Sequence, residues 1–228
     1  MVVLKPELQR TVGGRHLLTD ELRRMADPVW EEIFRHPFVV ELYAGRLPLE
    51  RFRYYLLQDY SYIVNLTRAL ALAAAKAPSP QPMKEALALA HGEVTEEMAS
   101  YESLLRELGL SVEEAARAEP NSVNVGYSSF MLSTCSLEGF YQCMTALLPC
   151  FWSYAEIAER HRAELESNPV PIYRRWASEY LTEGYRSLVS RLREVVDSSG
   201  LRAAELWPYF RRASLYELEF WEAAYEGH

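Results

Sequence analysis

Three residues of this chain carry reactive or titratable groups in surroundings that are otherwise apolar: Cys150, Asp59 and Glu217. Cys150 directly follows a proline in Leu147-Leu148-Pro149-Cys150-Phe151-Trp152, inside a long apolar stretch with helical spacing. Proline removes a backbone donor and clashes with the preceding turn, so a regular helix must bend there and leave the Thr145 carbonyl without its usual partner. Such a distortion opens room beside the sulfur, where a thiolate could act as a nucleophile. A buried cysteine is more often an inert small hydrophobe, and this segment alone does not separate the two roles.

Asp59 sits in Tyr54-Tyr55-Leu56-Leu57-Gln58-Asp59-Tyr60-Ser61-Tyr62. On a helix its neighbours at three and four residues are Tyr55, Leu56, Tyr62 and Ile63, all apolar or aromatic. A carboxylate on such a face must meet a donor, meet a ligand, or hold its proton. A hydrogen bond to a tyrosine hydroxyl or to a helix end is the plain alternative. Glu217, in Leu215-Tyr216-Glu217-Leu218-Glu219-Phe220-Trp221, has Ala213, Ser214, Phe220 and Trp221 at the same spacings. Glu219 instead has Glu222 ahead of it and is expected at the water's edge. Two desolvated carboxylates near a thiol would supply acid–base groups beside a nucleophile; for Glu217 too, a structural bond to a tyrosine remains open.

The chain has 15 Tyr, 8 Phe and 5 Trp, enough both to fill a core and to wall a pocket for a flat heteroaromatic ligand. Tyr62, Tyr127, Tyr154, Tyr180, Phe220 and Trp221 are the pocket candidates, and Phe130, Phe140, Trp152 and Trp176 read as core. His16, His36, His91, His161 and His228 are isolated. A carboxylate-bridged metal pair in a helical bundle would place glutamate three residues before histidine, but Ala88 and Ala158 stand at those places. No metal is expected.

The elements that must position these residues read as helices throughout. Gly and Pro fall mostly between long segments of helical period, and no region alternates with period two. A first helix is expected over about 17–35, kinked or split at Pro28. A connection through His36, Pro37 and Gly45 leads to a helix from Pro48 to about Lys76. Further helices are expected over about 82–108, into the 130s after a loop at 121–127, and over 137–165, 172–198 and 203–225. Residues 1–14 read as a flexible extension, and 15–228 as one all-α, single-domain bundle of about seven helices.

Composition bounds the function. A chain of 228 residues with 49% hydrophobic and 25% charged residues is an ordinary globular domain. Net charge is −8 with no basic stripe, which argues against nucleic acid as a partner. The start carries no secretory signal, and the most apolar stretch, 63–75, is broken by Asn65, Thr67 and Arg68 and is too short to span a bilayer. Cys135, Cys143 and Cys150 form no CxxC motif, which fits reduced thiols in a cytoplasm. Cys135 and Cys143 precede Cys150 by near-whole helical turns and are taken as packing residues on its side of a helix.

Taken together, His36-Pro37-Phe38, Leu47-Pro48, the Tyr54–Tyr62 segment, Leu147–Trp152 and Tyr216–Trp221 resemble the TenA / thiaminase II family, in order and with its approximate spacing. The resemblance runs from about Pro28 to the C-terminus. It implies a haem-oxygenase-like bundle, a homotetramer, and no metal, haem or other cofactor. The implied activity is hydrolysis at the methylene on the 5-position of a 4-amino-2-methylpyrimidine, releasing hydroxymethylpyrimidine for thiamin salvage. The implied substrates are aminomethylpyrimidine and, more slowly, thiamin. By motif, Cys150 matches the nucleophile, Asp59 the carboxylate holding the ring nitrogen and amino group, and Glu217 the acid–base residue. Tyr62, Tyr127, Tyr154, Tyr180 and Phe220 match substrate-binding positions. Two other classes stand beside this reading: a non-catalytic or regulatory protein, with an unreactive Cys150 and no small-molecule ligand, and an oxidative enzyme on the same bundle.

Overall fold

The computed structural model describes residues 17–227; the expected 1–14 extension, His16 and His228 lie outside them. Among the described residues there is no strand, and every element is helical. Three long helices carry the site. α4 (Leu49–Ala75) starts after Pro48, where a proline suits the entry to a helix, and buries Phe52, Tyr55, Leu56, Tyr62, Ile63, Leu66, Ala69, Leu70 and Ala73 at three- and four-residue steps. α9 (Phe140–Arg160) holds Pro149 and Cys150 and is buried along nearly its whole middle. α13 (Ala203–Glu226) packs along α9 and ends at Gly227, whose positive φ of 83° closes the helix.

The shorter elements frame these three. α1 (Leu18–Met25) and α2 (Asp27–Arg35) replace the single helix expected over 17–35, because Pro28 sits in the first turn of α2 and starts a new helix. α3 (Pro37–Tyr43) occupies what the sequence suggested was a connection. His36 caps it, Nδ1 accepting from the Phe38 amide at 3.2 Å, and Pro37 fits the first turn. Gly45 then turns the chain with φ 69°, and an added Cβ would lie 2.6 Å from Asn168 Oδ1 and from Pro169 Cδ. Asn168 holds this corner by donating to the Leu42 and Tyr43 carbonyls at 2.8 and 2.9 Å.

The helix expected over 82–108 is built in three parts: α5 (Pro80–Gly92), a π-helical turn (Glu93–Glu97) and α6 (Met98–Glu107). α7 (Val112–Arg117) follows, entered by a capping box of Ser111 and Glu114. The loop expected at 121–127 is instead the start of α8 (Ser122–Leu137): Asn121 caps it by accepting from the Asn124 amide at 2.9 Å. Cys135 therefore lies on α8, not on the helix of Cys143 and Cys150; all three are buried. After α9 come α10 (Arg162–Glu166), α11 (Pro171–Glu179) and α12 (Glu183–Asp197), so the expected 172–198 helix is broken between Tyr180 and Thr182. Thr182 caps α12 with its hydroxyl.

The core is a continuous aromatic seam. Trp30 stacks on Phe210 at 6.0 Å, and its indole N–H donates to Ser214 at 2.9 Å. The Arg23 guanidinium lies 4.2 Å from the Trp30 ring and pairs with Glu156 at 2.8 Å, tying α1 to α9. Among the described residues no helix is long and apolar enough to cross a membrane.

Candidate active site

α4, α9, α11, α12 and the π-helical turn border a cavity of about 60 Å³ that the buried Cys150 lines. Asp59, Tyr62, Tyr154 and Tyr180 line it with Cys150, joined by Tyr55, Phe151, Glu93, Glu97 and Tyr185. The periodicity of α4 accounts for Tyr55, Asp59 and Tyr62 sharing one wall, since they recur at four and three residues. Tyr154 stands one turn beyond Cys150 on α9, and its hydroxyl meets that of Tyr55 at 3.1 Å. The Tyr154 and Tyr180 rings pack at 4.9 Å. Tyr180 reaches the cavity because α11 ends there.

Glu217, Tyr127 and Phe220 do not line this cavity; they stand directly behind it. Phe220 packs against Tyr62 at 5.6 Å and Tyr55 at 5.9 Å. Tyr127 contacts Tyr62 at 5.1 Å and donates its hydroxyl to Glu217 at 2.7 Å. Glu217 is 3% exposed. Trp221 is likewise buried behind the wall, stacked on Tyr55 at 5.5 Å. Glu219 is exposed, as its sequence position indicated.

Burial dominates the electrostatics. Desolvation raises the Glu217 carboxyl to about 7, although hydroxyls of Tyr127 and Ser153 pull it down. Desolvation also holds the Asp59 carboxyl well above the usual carboxylate range, with the Glu97 and Glu217 carboxylates adding to it. The Cys150 thiol is raised by burial first and by Glu217 second, while the Tyr62 hydroxyl acts in the opposite sense. Burial thus favours the protonated thiol, and the Glu217 carboxyl behind the cavity wall is tuned near neutrality. Cys150 Sγ donates to the Leu147 carbonyl at 2.9 Å. The hydroxyls of Tyr62 and Ser153 and the indole N–H of Trp221 are buried without a hydrogen-bond partner of normal geometry among the described residues.

A polar clamp fixes α8 on α4 and so sets Tyr127 against Tyr62. Asn124, buried on α8, donates to the Gln58 carbonyl at 2.7 Å and to the Ser61 hydroxyl at 3.0 Å. Gln58 accepts in turn from the Asn121 amide at 2.9 Å and donates to the Glu119 carbonyl at 3.0 Å. Among the described residues, no group of three His, Cys, Asp or Glu side chains is placed to hold a metal ion. His36 meets Glu222 at 2.7 Å and His161 meets the Phe34 carbonyl at 2.9 Å, both away from the cavity.

The sequence candidates did not include the cavity residues Tyr55, Ile63, Leu66, Glu93, Glu97, Phe151 and Tyr185. Glu93 follows Ala86, Leu89 and Ala90 in helical phase, but Glu96 and Glu97 stand three and four residues ahead of it, so the wholly apolar neighbourhood that singled out Asp59 is absent. Tyr185 donates to the Phe151 carbonyl at 2.9 Å, bracing α12 against α9.

Comparison with known proteins agrees with this architecture. A family model described as TENA/THI-4/PQQC matches residues 23–227. An aminopyrimidine aminohydrolase of Halalkalibacterium halodurans is 31% identical over 90% of this chain and 93% of its own length. That of Bacillus subtilis is 32% identical, over 91% and 89% respectively. The solved structure of a TenA homologue from P. horikoshii OT3 is 50% identical and superposes with a TM-score of 0.91, covering 93% of this chain and all of that one. A Shewanella denitrificans domain with a heme oxygenase-like fold, 12% identical and covering 91% of this chain and 92% of its own, superposes with a TM-score of 0.75, which places the bundle in that fold class. The chain belongs to the TENA/THI-4/PQQC family.

Proposed function

We propose that this protein is an aminopyrimidine aminohydrolase: it hydrolyses the bond between the 5-methylene of a 4-amino-2-methylpyrimidine and its leaving group, releasing hydroxymethylpyrimidine for thiamin salvage. Relatives that share nearly its whole length bear that name. The observation that carries the reading is the setting of Cys150, which shares an aromatic-lined cavity with Asp59 and Tyr62.

The chemistry follows from those groups. Glu217 takes the Cys150 proton, and the sulfur adds to the electron-poor ring, forming a C–S bond and breaking aromaticity. The ring electrons move out through the methylene and expel the leaving group: an amine takes the proton held on Glu217 and departs as ammonia, while a thiazolium departs directly as a neutral thiazole. Water adds to the methylene, giving up a proton to the acid–base system, and the C–S bond then breaks, restoring the aromatic ring and the thiol. One difficult displacement becomes two easier steps. Asp59 holds the ring nitrogen and amino group, which keeps the ring electron-poor. Tyr62, Tyr154 and Tyr180 position and stack the ring, Tyr127 and Phe220 back Tyr62 from behind the wall, and the Tyr62 hydroxyl, without a partner of normal geometry, is placed to bond to substrate or water. No cofactor enters any step.

The working form is a cytoplasmic homotetramer, with neither nucleic acid nor membrane as a partner. Exposed Met83, Leu87 and Val94 on one side of the bundle offer apolar surface for subunit contact. The direct test is hydrolysis of 4-amino-5-aminomethyl-2-methylpyrimidine, and of thiamin, by purified protein with Cys150→Ala as control. Release of hydroxymethylpyrimidine that disappears in the variant supports the reading. A folded protein that turns over neither compound refutes it.

A further inference from the structure

Beside the Cys150 cavity lies a second, larger chamber of about 380 Å³, between α5, α6, the π-helical turn and α12. The two cavities share Glu93, Glu97, Phe151 and Tyr185, so they adjoin across the π-helical turn. The outer chamber is strongly acidic, with Glu96 and Glu179 joining the shared pair. Its one lining arginine, Arg191, is paired with Glu85 at 3.6 Å. Glu93 is the residue that points to a ligand. It is 9% exposed, yet among the described residues its carboxylate has no hydrogen-bond or ion-pair partner. The side chain is buried, yet its oxygens are not among the fully buried unpartnered atoms: they open onto the two cavities that Glu93 lines, where a ligand would meet them.

We propose that the outer chamber is the leaving-group subsite, and that Glu93, supported by Glu97, makes it selective for leaving groups that carry positive charge. This rests on the aminopyrimidine reading, because the scissile bond then joins a ring held by Asp59 and Cys150 to a group that projects past Glu93. Permanently charged azolium rings and protonated amines are the class favoured. Burial, then the neighbouring Glu97 and Asp59 carboxylates, hold the Glu93 carboxyl well above its ordinary range in the empty site, and an arriving cation reverses that balance. Selection is for the bound substrate, since an azolium leaves as a neutral ring and is no longer held by charge.

Two arms test this. In the first, binding of 4-methyl-5-(2-hydroxyethyl)thiazole and of its N-methyl quaternary salt is measured by ligand-observed NMR on wild type, Glu93→Gln and Glu93→Asp. Wild type should bind the cation about tenfold more tightly than the neutral ring, Glu93→Gln should cut that ratio to about two or less, and Glu93→Asp should retain most of it. No preference in wild type, or one unchanged in Glu93→Gln, overturns the inference whatever the enzyme turns over. In the second arm, kcat/KM is compared for thiamin and for the neutral N-formylaminomethylpyrimidine. Glu93→Gln and Glu97→Gln should lower the ratio of the former to the latter about tenfold. Equal losses on both substrates overturn the charge assignment. Wild type inactive on aminomethylpyrimidine and on thiamin would instead refute the aminopyrimidine reading, while the binding arm still decides what Glu93 does.

Discussion

At Glu217 two opposing effects set proton affinity: burial raises it, and the Tyr127 and Ser153 hydroxyls lower it, leaving the carboxyl near 7. If Glu217 must be ionised to take the Cys150 proton, kcat/KM rises with pH through that region. Tyr127→Phe removes a hydroxyl that favours the ionised form, so the rising limb should move to higher pH, with activity at pH 7 down about tenfold for the loss of a charge-assisted bond. A limb that stays in place would exclude Glu217 from the proton transfer. Asp59 has a different role and predicts a different signature. Asp59→Asn keeps the shape but loses the acidic proton that Asp59 shares with the ring nitrogen, so KM for the pyrimidine should rise about tenfold while kcat falls less. Residue-level legibility in the sequence followed from one test, the character of neighbours at three and four residues. It marked Asp59 and Glu217 but passes over Glu93, whose neighbours three and four residues ahead are Glu96 and Glu97. It cannot mark Tyr185, whose place depends on how α12 lies against α9.

At the scale of elements, the site depends on α8 being clamped to α4. Asn124→Ala removes the donors to the Gln58 carbonyl and the Ser61 hydroxyl in a buried position. Stranding those acceptors should cost roughly 2–3 kcal/mol of unfolding free energy, and the shifted α8 should carry Tyr127 away from Glu217. Denaturant unfolding with kinetics on the same sample checks both; normal stability with normal activity would show the clamp to be dispensable. The long helices were legible because their apolar stripes are long. What escaped were changes of helical register and short helices. Pro37 and Asn121 were read as connections, although a proline after a capping histidine and a capping asparagine each start a helix. The π-helical turn at 93–97 has no side-chain signature of its own, since it arises when backbone bonds slip by one residue.

For the molecule as a whole, the site's carboxyls set a pH dependence of stability. Glu217, Asp59, Glu93 and Glu97 all hold protons more tightly when folded than their ordinary values allow, and burial is the first cause in each case. A folded state that binds more protons than the unfolded chain loses stability as pH rises between the two values. For Glu217 that window runs from its ordinary value of 4.5 to about 7. Its stabilisation is full below the window and gone above it, worth about 2–3 kcal/mol between pH 5 and pH 8. The other three carboxyls act in the same direction. Wild type should therefore be most stable in mild acid and lose unfolding free energy toward pH 8. Glu217→Gln, which cannot ionise, should show a shallower slope over the same range and exceed wild type in stability at pH 8. Urea unfolding of both proteins at half-unit pH steps reads the difference directly, and histidine titrations common to both cancel from it. Parallel slopes would mean that Glu217 is solvated in the folded state. An acid–base group near 7 in the working enzyme requires the desolvation that this slope measures, so Glu217→Gln should be the more stable and the less active protein at the same pH.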